Sequence, residues 1–219
     1  DLKFTAYLMP VAVLAILVGS AVAIFEKNVK RLLAFSSVAQ IGYIVLGASF
    51  ITAIGLQAGV LHIFNHALAK GSAFLALAAF AYNAPSLRIE ELGGMARRMP
   101  WSFAAFVIAG LSLIGVPGTA GFISKWYLIT AALDEGLLGL ALIAIILISS
   151  LMAVVYFWRI VEAAAFGEAP ADAPTLSPGP ALILILWLAA GMNIYFGLVP
   201  ELPVTLSAEA SEILLEHLQ

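Results

Sequence analysis

The 219-residue chain has no cysteine and very little charge: 11% of its residues are Asp, Glu, Lys or Arg, against 63% that are hydrophobic. Lack of cysteine excludes disulfides, thiolate metal sites and thiol nucleophiles. The charged fraction is about half that of an ordinary soluble domain, and the mean hydropathy of +1.07 points to a membrane protein before any segment is inspected. The few Lys and Arg form no basic surface of the kind that nucleic acid requires. The alternating apolar–polar pattern of a transmembrane β-barrel is missing too. The first apolar run lacks a basic leader and a small-residue cleavage site, so no cleavable signal peptide is expected. The chain opens on Asp1, which reads as the start of a fragment or a processed product.

What the sequence does contain is long apolar runs. A helix needs about 20 apolar residues to cross the bilayer, and six runs qualify: residues 7–25, 32–54, 56–82, 102–133, 137–166 and 181–199. The expected fold is therefore all-α, a polytopic membrane helix bundle of six transmembrane segments occupying residues 1–203. Lys27, Lys30, Arg31, Arg88, Arg97, Arg98 and Arg159 fall on one side of that arrangement and only Lys3 on the other. By the positive-inside rule the basic loops face the cytoplasm and both termini lie outside. Residues 167–180, rich in Pro, Ala and acidic side chains, read as a flexible loop. Residues 204–219 set Leu206, Ile213, Leu214 and Leu218 at helical spacing against Glu209, Glu212 and Glu216, an amphipathic segment for the outer surface or a partner.

Two polar sites interrupt the apolar spans. In HIFNHALAKGSAF, His62, His66 and Lys70 recur every four residues and so share one helical stripe. Lys70 lies about twelve residues, or ~18 Å of helix rise, from the nearer end of its span, too far for its side chain to snorkel to the interface. Such a residue must face protein or water inside the membrane, and is a functional candidate by default. The competing reading is a structural lysine paired with a carboxylate, with both histidines as packing groups. Two histidines four apart can also hold a metal, but no Cys or carboxylate shares their face, and no metal is expected. In GVPGTAGFISKWY, Pro117 with Gly115, Gly118 and Gly121 predicts a helix broken over 116–121. Unwound backbone at that depth is tolerated only against protein or a cavity and marks ion or substrate sites in transporters. Lys125 follows the break, either beside the cavity or snorkelling outward.

Weaker features accompany these two sites. Ser36, Ser37, Gln40 and Tyr43 form a polar strip on the second span, and Ser124 precedes Lys125. These side chains serve either as packing glue or to hold water between the lysines. Arg159 and Glu162 lie near the cytoplasmic end of the fifth span, as a surface pair or a cytoplasmic mouth. Burial favours release of an amine's proton, and imidazole titrates near neutrality of its own accord. A row of Lys, His, His and Lys can therefore relay protons.

The strings VKRLLAFSSVAQIGY, HIFNHALAKGSAFL and LSLIGVPGTAGFISKWYL, in this order, resemble the antiporter-like subunits shared by Mrp-type cation/proton antiporters, respiratory complex I and membrane-bound hydrogenases. A full subunit of that family carries two inverted five-helix repeats, each with a broken helix and central lysines. The chain resembles the second repeat plus the final helix. The resemblance implies that Lys70 is the central lysine, on the helix that carries His62 and His66, and that Lys125 is the terminal proton-transfer residue. FNHALAKG together with GFISKWY looks closer to the D subunit of multisubunit antiporters than to complex I. The implied function is a proton-translocating subunit of a Na+/proton antiporter in the inner membrane of a prokaryote, working with other integral membrane subunits, one of which supplies the missing first repeat. The alternatives are a proton-pumping subunit of a complex I-like or hydrogenase redox complex, and a structural scaffold. No flavin, nicotinamide, iron–sulfur or quinone motif is found, so no cofactor is expected.

Overall fold

The computed structural model describes residues 2–170 and 176–218. The side chains of Lys3 and Leu218, and the middle of the expected loop at 167–180, lie outside that description. Among the described residues there are nine α-helices and no strand: α1 (Leu2–Phe25), α2 (Val29–Ser49), α3 (Ala53–Phe80), α4 (Met95–Arg98), α5 (Pro100–Ile114), α6 (Ala120–Leu133), α7 (Gly136–Phe166), α8 (Pro180–Leu198) and α9 (Glu201–Leu218). Five of these, α1, α2, α3, α7 and α8, are long and apolar enough to cross a membrane; α5 and α6 are shorter apolar helices. Joined through a break, α5 and α6 form the discontinuous fourth span. The protein is a polytopic helical membrane bundle. In hydrocarbon a helix satisfies its own backbone groups, which leaves it as the one open-ended element suited to these runs.

Helix ends follow from local chemistry. Asn28 caps α2 by accepting from Arg31 N at 3.2 Å, and Thr52 caps α3 by accepting from Gly55 N at 3.1 Å. The Thr52 cap ends the second span at Ser49, short of the expected residue 54, because a turn intervenes at 50–52. The amphipathic helix starts at Glu201 and not after Pro203. Proline is compatible with a first turn, whose amides have no helical acceptor. The fourth span breaks at 115–119, with Gly115 at φ 89° and Gly118 at φ 87°. Gly121, expected within the break, lies instead in the first turn of α6.

Small residues let the helices approach closely, the usual basis of packing where lipid and side chain are equally apolar. A Cβ on Gly47 would lie 2.7 Å from Gly55 O, so α2 and α3 nearly touch backbone to backbone. The apolar core falls into two clusters. One lies around Leu33, Leu77, Phe106 and Phe157, the other around Ile16, Tyr43, Leu128 and Ile146. Between these clusters the helices carry the polar site.

The basic loops gather at one end of the bundle. Val29 N donates to Leu87 O at 2.9 Å and Ile89 N to Lys27 O at 2.9 Å, with an antiparallel bridge between Asn28 and Arg88. Asn83 holds the far side of the 167–180 loop, bonding both the amide and the carbonyl of Leu176 at 2.8 Å. Leu92 and Met95, fully buried, fasten the short elements between α3 and α5 to the bundle. The α6–α7 turn, by contrast, follows one further crossing. Because the chain is cysteine-free, single thiols report sidedness cleanly. Exposed Glu90 and Asp134, replaced one at a time by Cys, should react with an impermeant maleimide from opposite faces of sealed vesicles; labelling from one face would contradict the crossing order.

Candidate functional site

The stripe on α3 faces inward at two of its three positions. His62 and Lys70 are 2% and 6% exposed, and His66 is half-buried. His62 is pinned between neighbours. Its Nε2 lies 2.9 Å from Gln40 Oε1 on α2 and its Nδ1 lies 2.9 Å from Ser124 Oγ on α6. A neutral imidazole offers one donor and one acceptor; since an amide oxygen only accepts, Nε2 donates to Gln40 and Nδ1 accepts from Ser124. Both nitrogens are engaged, which leaves none for a metal. The His66 ring stacks on His62, with centroids 6.3 Å apart and planes 7° from parallel. Its Nδ1 is buried without a partner. Lys70 donates to Leu33 O at 2.6 Å and to Ser36 Oγ.

Lys125 does not snorkel. It is 5% exposed, and its Nζ donates to Leu113 O at 3.3 Å, Ile114 O at 2.8 Å and Ser150 Oγ at 2.9 Å. All three ammonium donors are thereby satisfied. The two carbonyls are available because the break at 115–119 ends α5 without continuing its hydrogen-bond ladder. They also sit at the negative end of the α5 dipole. Gly115 makes the geometry possible twice over: it takes the left-handed conformation, and a Cβ there would lie 2.8 Å from Lys125 Cδ. Gly121 has no room for one either, since its Cβ would fall 1.8 Å from Ser112 O. The Tyr43 ring lies beneath the ammonium, 5.0 Å from Nζ to the centroid, a cation–π contact. The amine borders a 440 Å³ cavity lined by Val116, Pro117, Trp126, Ile146, Ser150 and Leu151, open on the flank of the bundle.

From Lys125 a chain of polar groups leads back to His62, eight residues from Lys70 on the same helix. Gln40 reaches from His62 towards Leu113 O at 3.5 Å, the same carbonyl that accepts from Lys125. Helices α2, α3 and α6 thus converge on the end of α5. Gln40, Tyr43 and Ser124 of the expected lining join this axis; Ser36 joins it through Lys70. Ser37 does not: its hydroxyl turns back onto Leu33 O at 3.0 Å. Arg159 and Glu162 do not pair. Arg159 donates to Ile24 O and, at 3.3 Å, to Glu26 O, closing the end of α1, while Glu162 is exposed. Among the described residues neither lysine meets a carboxylate; the ion pairs are Arg31–Glu26 and Arg88–Glu90, both in the basic loops.

Sequence reasoning missed Asn65 and Ser150. Asn65 donates to Ala120 O at 2.7 Å and anchors the start of α6. The signals were present: an amide beside the histidine stripe, and a Ser149–Ser150 pair inside the run IAIILISSLMAVVYF.

Residues 2–156 match the family described as NADH:quinone oxidoreductase/Mrp antiporter, TM. The chain belongs to this family. The NADH-quinone oxidoreductase subunit N of Desulforudis audaxviator is 42% identical over 151 residues, covering 69% of this chain and 30% of that protein. Among solved structures, the Mrp complex from Dietzia sp. DQ12-45-1b matches with TM-score 0.87 at 27% identity, over 94% of this chain and 47% of the other. The membrane-bound sulfane sulfur reductase, an archaeal respiratory membrane complex, matches with TM-score 0.85 at 30% identity, over 96% and 42%. The chain spans less than half the length of each of these family members. The leaning of FNHALAKG and GFISKWY towards an antiporter D subunit is not reflected in these figures, 42% identity to the NADH-quinone oxidoreductase subunit against 27% to the Mrp structure.

The geometry separates two kinds of variant. Asn65→Leu removes the side-chain bond to Ala120 O, costs about 0.5–1.5 kcal/mol, and should lower both the thermal midpoint and the amount of assembled complex. Gln40→Leu should leave assembly near normal and slow proton translocation about tenfold or more, measured in vesicles with a pH-sensitive dye.

Proposed function

We propose that this chain is the proton-translocating part of a membrane subunit in a redox-driven, complex I-like assembly. Protons pass between Lys70 and Lys125 along the axis through His66, His62, Gln40 and Ser124. The observation that carries the reading is the pair of buried, carboxylate-free lysines on separate helices, with His62 of the Lys70 helix reaching through Gln40 to the bared end of α5 that holds Lys125. A scaffold lysine would be expected against an acidic partner, because an unpaired cation at mid-depth costs at least ~2.5–3.5 kcal/mol. Here carbonyls and hydroxyls hold both amines, an arrangement from which a proton can leave without stranding a buried carboxylate.

The redox-driven reading is favoured over Na+/proton antiport by the 42% identity to a NADH-quinone oxidoreductase subunit. In this reading the oxidoreductase chemistry belongs to other subunits, and this subunit only moves protons. A further chain or segment supplies the first repeat. The basic end faces the cytoplasm of a prokaryotic cell, in keeping with its Lys and Arg excess.

The test uses the assembled complex in sealed vesicles. Lys125→Ala and Lys70→Ala should each assemble, yet reduce donor-driven proton translocation at least ~100-fold. Wild-type translocation by an assembled Lys125→Ala complex would remove the relay. Na+-dependent proton exchange without any electron donor would favour the antiporter reading instead.

A further inference from the structure

A carboxylate stands at the depth of the buried histidine, on the flank of the bundle. Helix α8 ends at Leu198 and α9 begins at Glu201, with Val199 and Pro200 between them. This interruption lies against the break in the fourth span. A Cβ on Gly197 would fall 2.4 Å from Thr119 C, and one on Gly118 would meet Leu198 Cδ2 at 3.9 Å. Two further contacts fix the depth of Glu201. Its neighbour Leu202 lines one groove with Leu61, the residue before His62. Three residues beyond Glu201, Val204 O accepts from Gln57 Nε2 at 3.2 Å. Glu201 therefore sits near the level of His62 and of its partner Ser124. From Leu61 back to Ala53, where α3 begins at the end of the bundle opposite the basic loops, is ~12 Å of helix rise, more than a glutamate side chain covers. The carboxylate is exposed, and among the described residues no hydrogen bond or ion pair engages it.

An ionisable group inside a membrane is paired or faces water, and marks a functional site by default. The positive end of the α9 dipole eases the charge of Glu201 but does not cancel it. No cation of this chain can do so, in this copy or in a second one. Lys70 and Lys125 are buried, Lys3 lies at the start of α1, and the other seven Lys and Arg belong to the basic end. The surroundings of Glu201 indicate what would. It borders a 460 Å³ cavity walled by Phe122, Ile123, Trp126, Tyr127, Pro200 and Val204. A metal ion needs several oxygen ligands, which these walls do not offer, and a lipid amine stays with the headgroups outside the hydrocarbon. A basic side chain fits: its methylene stem packs on apolar wall while its head meets the carboxylate. Arginine fits best, because a guanidinium pairs with a carboxylate through two hydrogen bonds and also stacks on an aromatic face, and Trp126, 57% exposed, shares the cavity with Glu201. We propose that Glu201 and this cavity form a socket for a basic side chain, arginine by preference, carried by a membrane-embedded helix of a neighbouring subunit. The inference rests on the reading of this chain as one subunit of a membrane assembly and does not depend on the proton route.

The test uses the assembled complex, purified in mild detergent. p-Benzoylphenylalanine in place of Tyr127 probes the cavity wall with Glu201 intact. On irradiation it should join this chain to one other membrane subunit, at a transmembrane peptide that contains Arg or Lys. Glu201→Gln should speed the dissociation of this chain from the complex at least ~10-fold, whereas Glu209→Gln, at an exposed position of the same helix, should leave it unchanged. Glu201→Arg, combined with Glu at the partner's basic position, should restore retention, which damage to the α8–α9 joint would not allow. The proposal is overturned if no other subunit is joined and the adducts are with lipid or a second copy of this chain. It is equally overturned if the joined peptide lacks a basic residue, or if the Glu201→Gln complex is as durable as wild type. Should Glu201→Gln fail to accumulate, the cross-link decides, because it is made beside the native carboxylate. None of these readouts is proton flux, so failure of the socket leaves the lysine relay to be judged separately by Lys125→Ala.

Discussion

The structure depends on a lysine ammonium held by the end of an interrupted helix. Lys125 lies where hydrocarbon would reject a cation, and the break after Ile114 supplies two carbonyls that a continuous helix would have consumed. Hydrogen bonds to a charged group contribute about 1.5–3 kcal/mol each. Three of them, together with the α5 dipole and the Tyr43 ring, offset a burial cost of at least ~2.5–3.5 kcal/mol. The site is stabilised by neutral groups alone, so its charge can change without leaving an unpaired anion in the membrane.

The rest of the bundle serves that arrangement. Gly115 and Gly121 permit the approach of Lys125 and of Ser112, while Asn65 fixes the first residue of α6. Helix α2 presents Gln40 and Tyr43 to the break and, two turns earlier, Ser36 to Lys70. Helix α3 carries the histidines between them. Helix α7 closes the outer side with Ser150 and Tyr156. Two apolar clusters on the same helices flank these polar residues.

Much of this was legible in the residues. Hydropathy alone marks the spans, because hydrocarbon admits few alternatives to a helix, and the four-residue spacing of His62, His66 and Lys70 puts them on one face whatever surrounds them. Pro117 and its glycines announced the break to within a residue or so; they could not reveal that Gly121 belongs to the helix after it. The partners of Lys125 were not legible, since two are backbone carbonyls, which every residue possesses, and the third is a serine indistinguishable in sequence from packing glue. Arg159 misled for a related reason. Its nearby Glu162 suggested a pair, but the end of α1 offers carbonyls that need a donor, and the guanidinium goes there.

The most direct test of the central claim is an experimental map of the assembled complex at a resolution that shows ordered water. The account predicts water or protein polar groups in unbroken contact from Lys70 through His66 and His62 to Lys125, with the Lys125 amine on the Leu113 and Ile114 carbonyls. A packed aliphatic layer dividing the two amines, or a Lys125 side chain extended to the lipid headgroups, would contradict it.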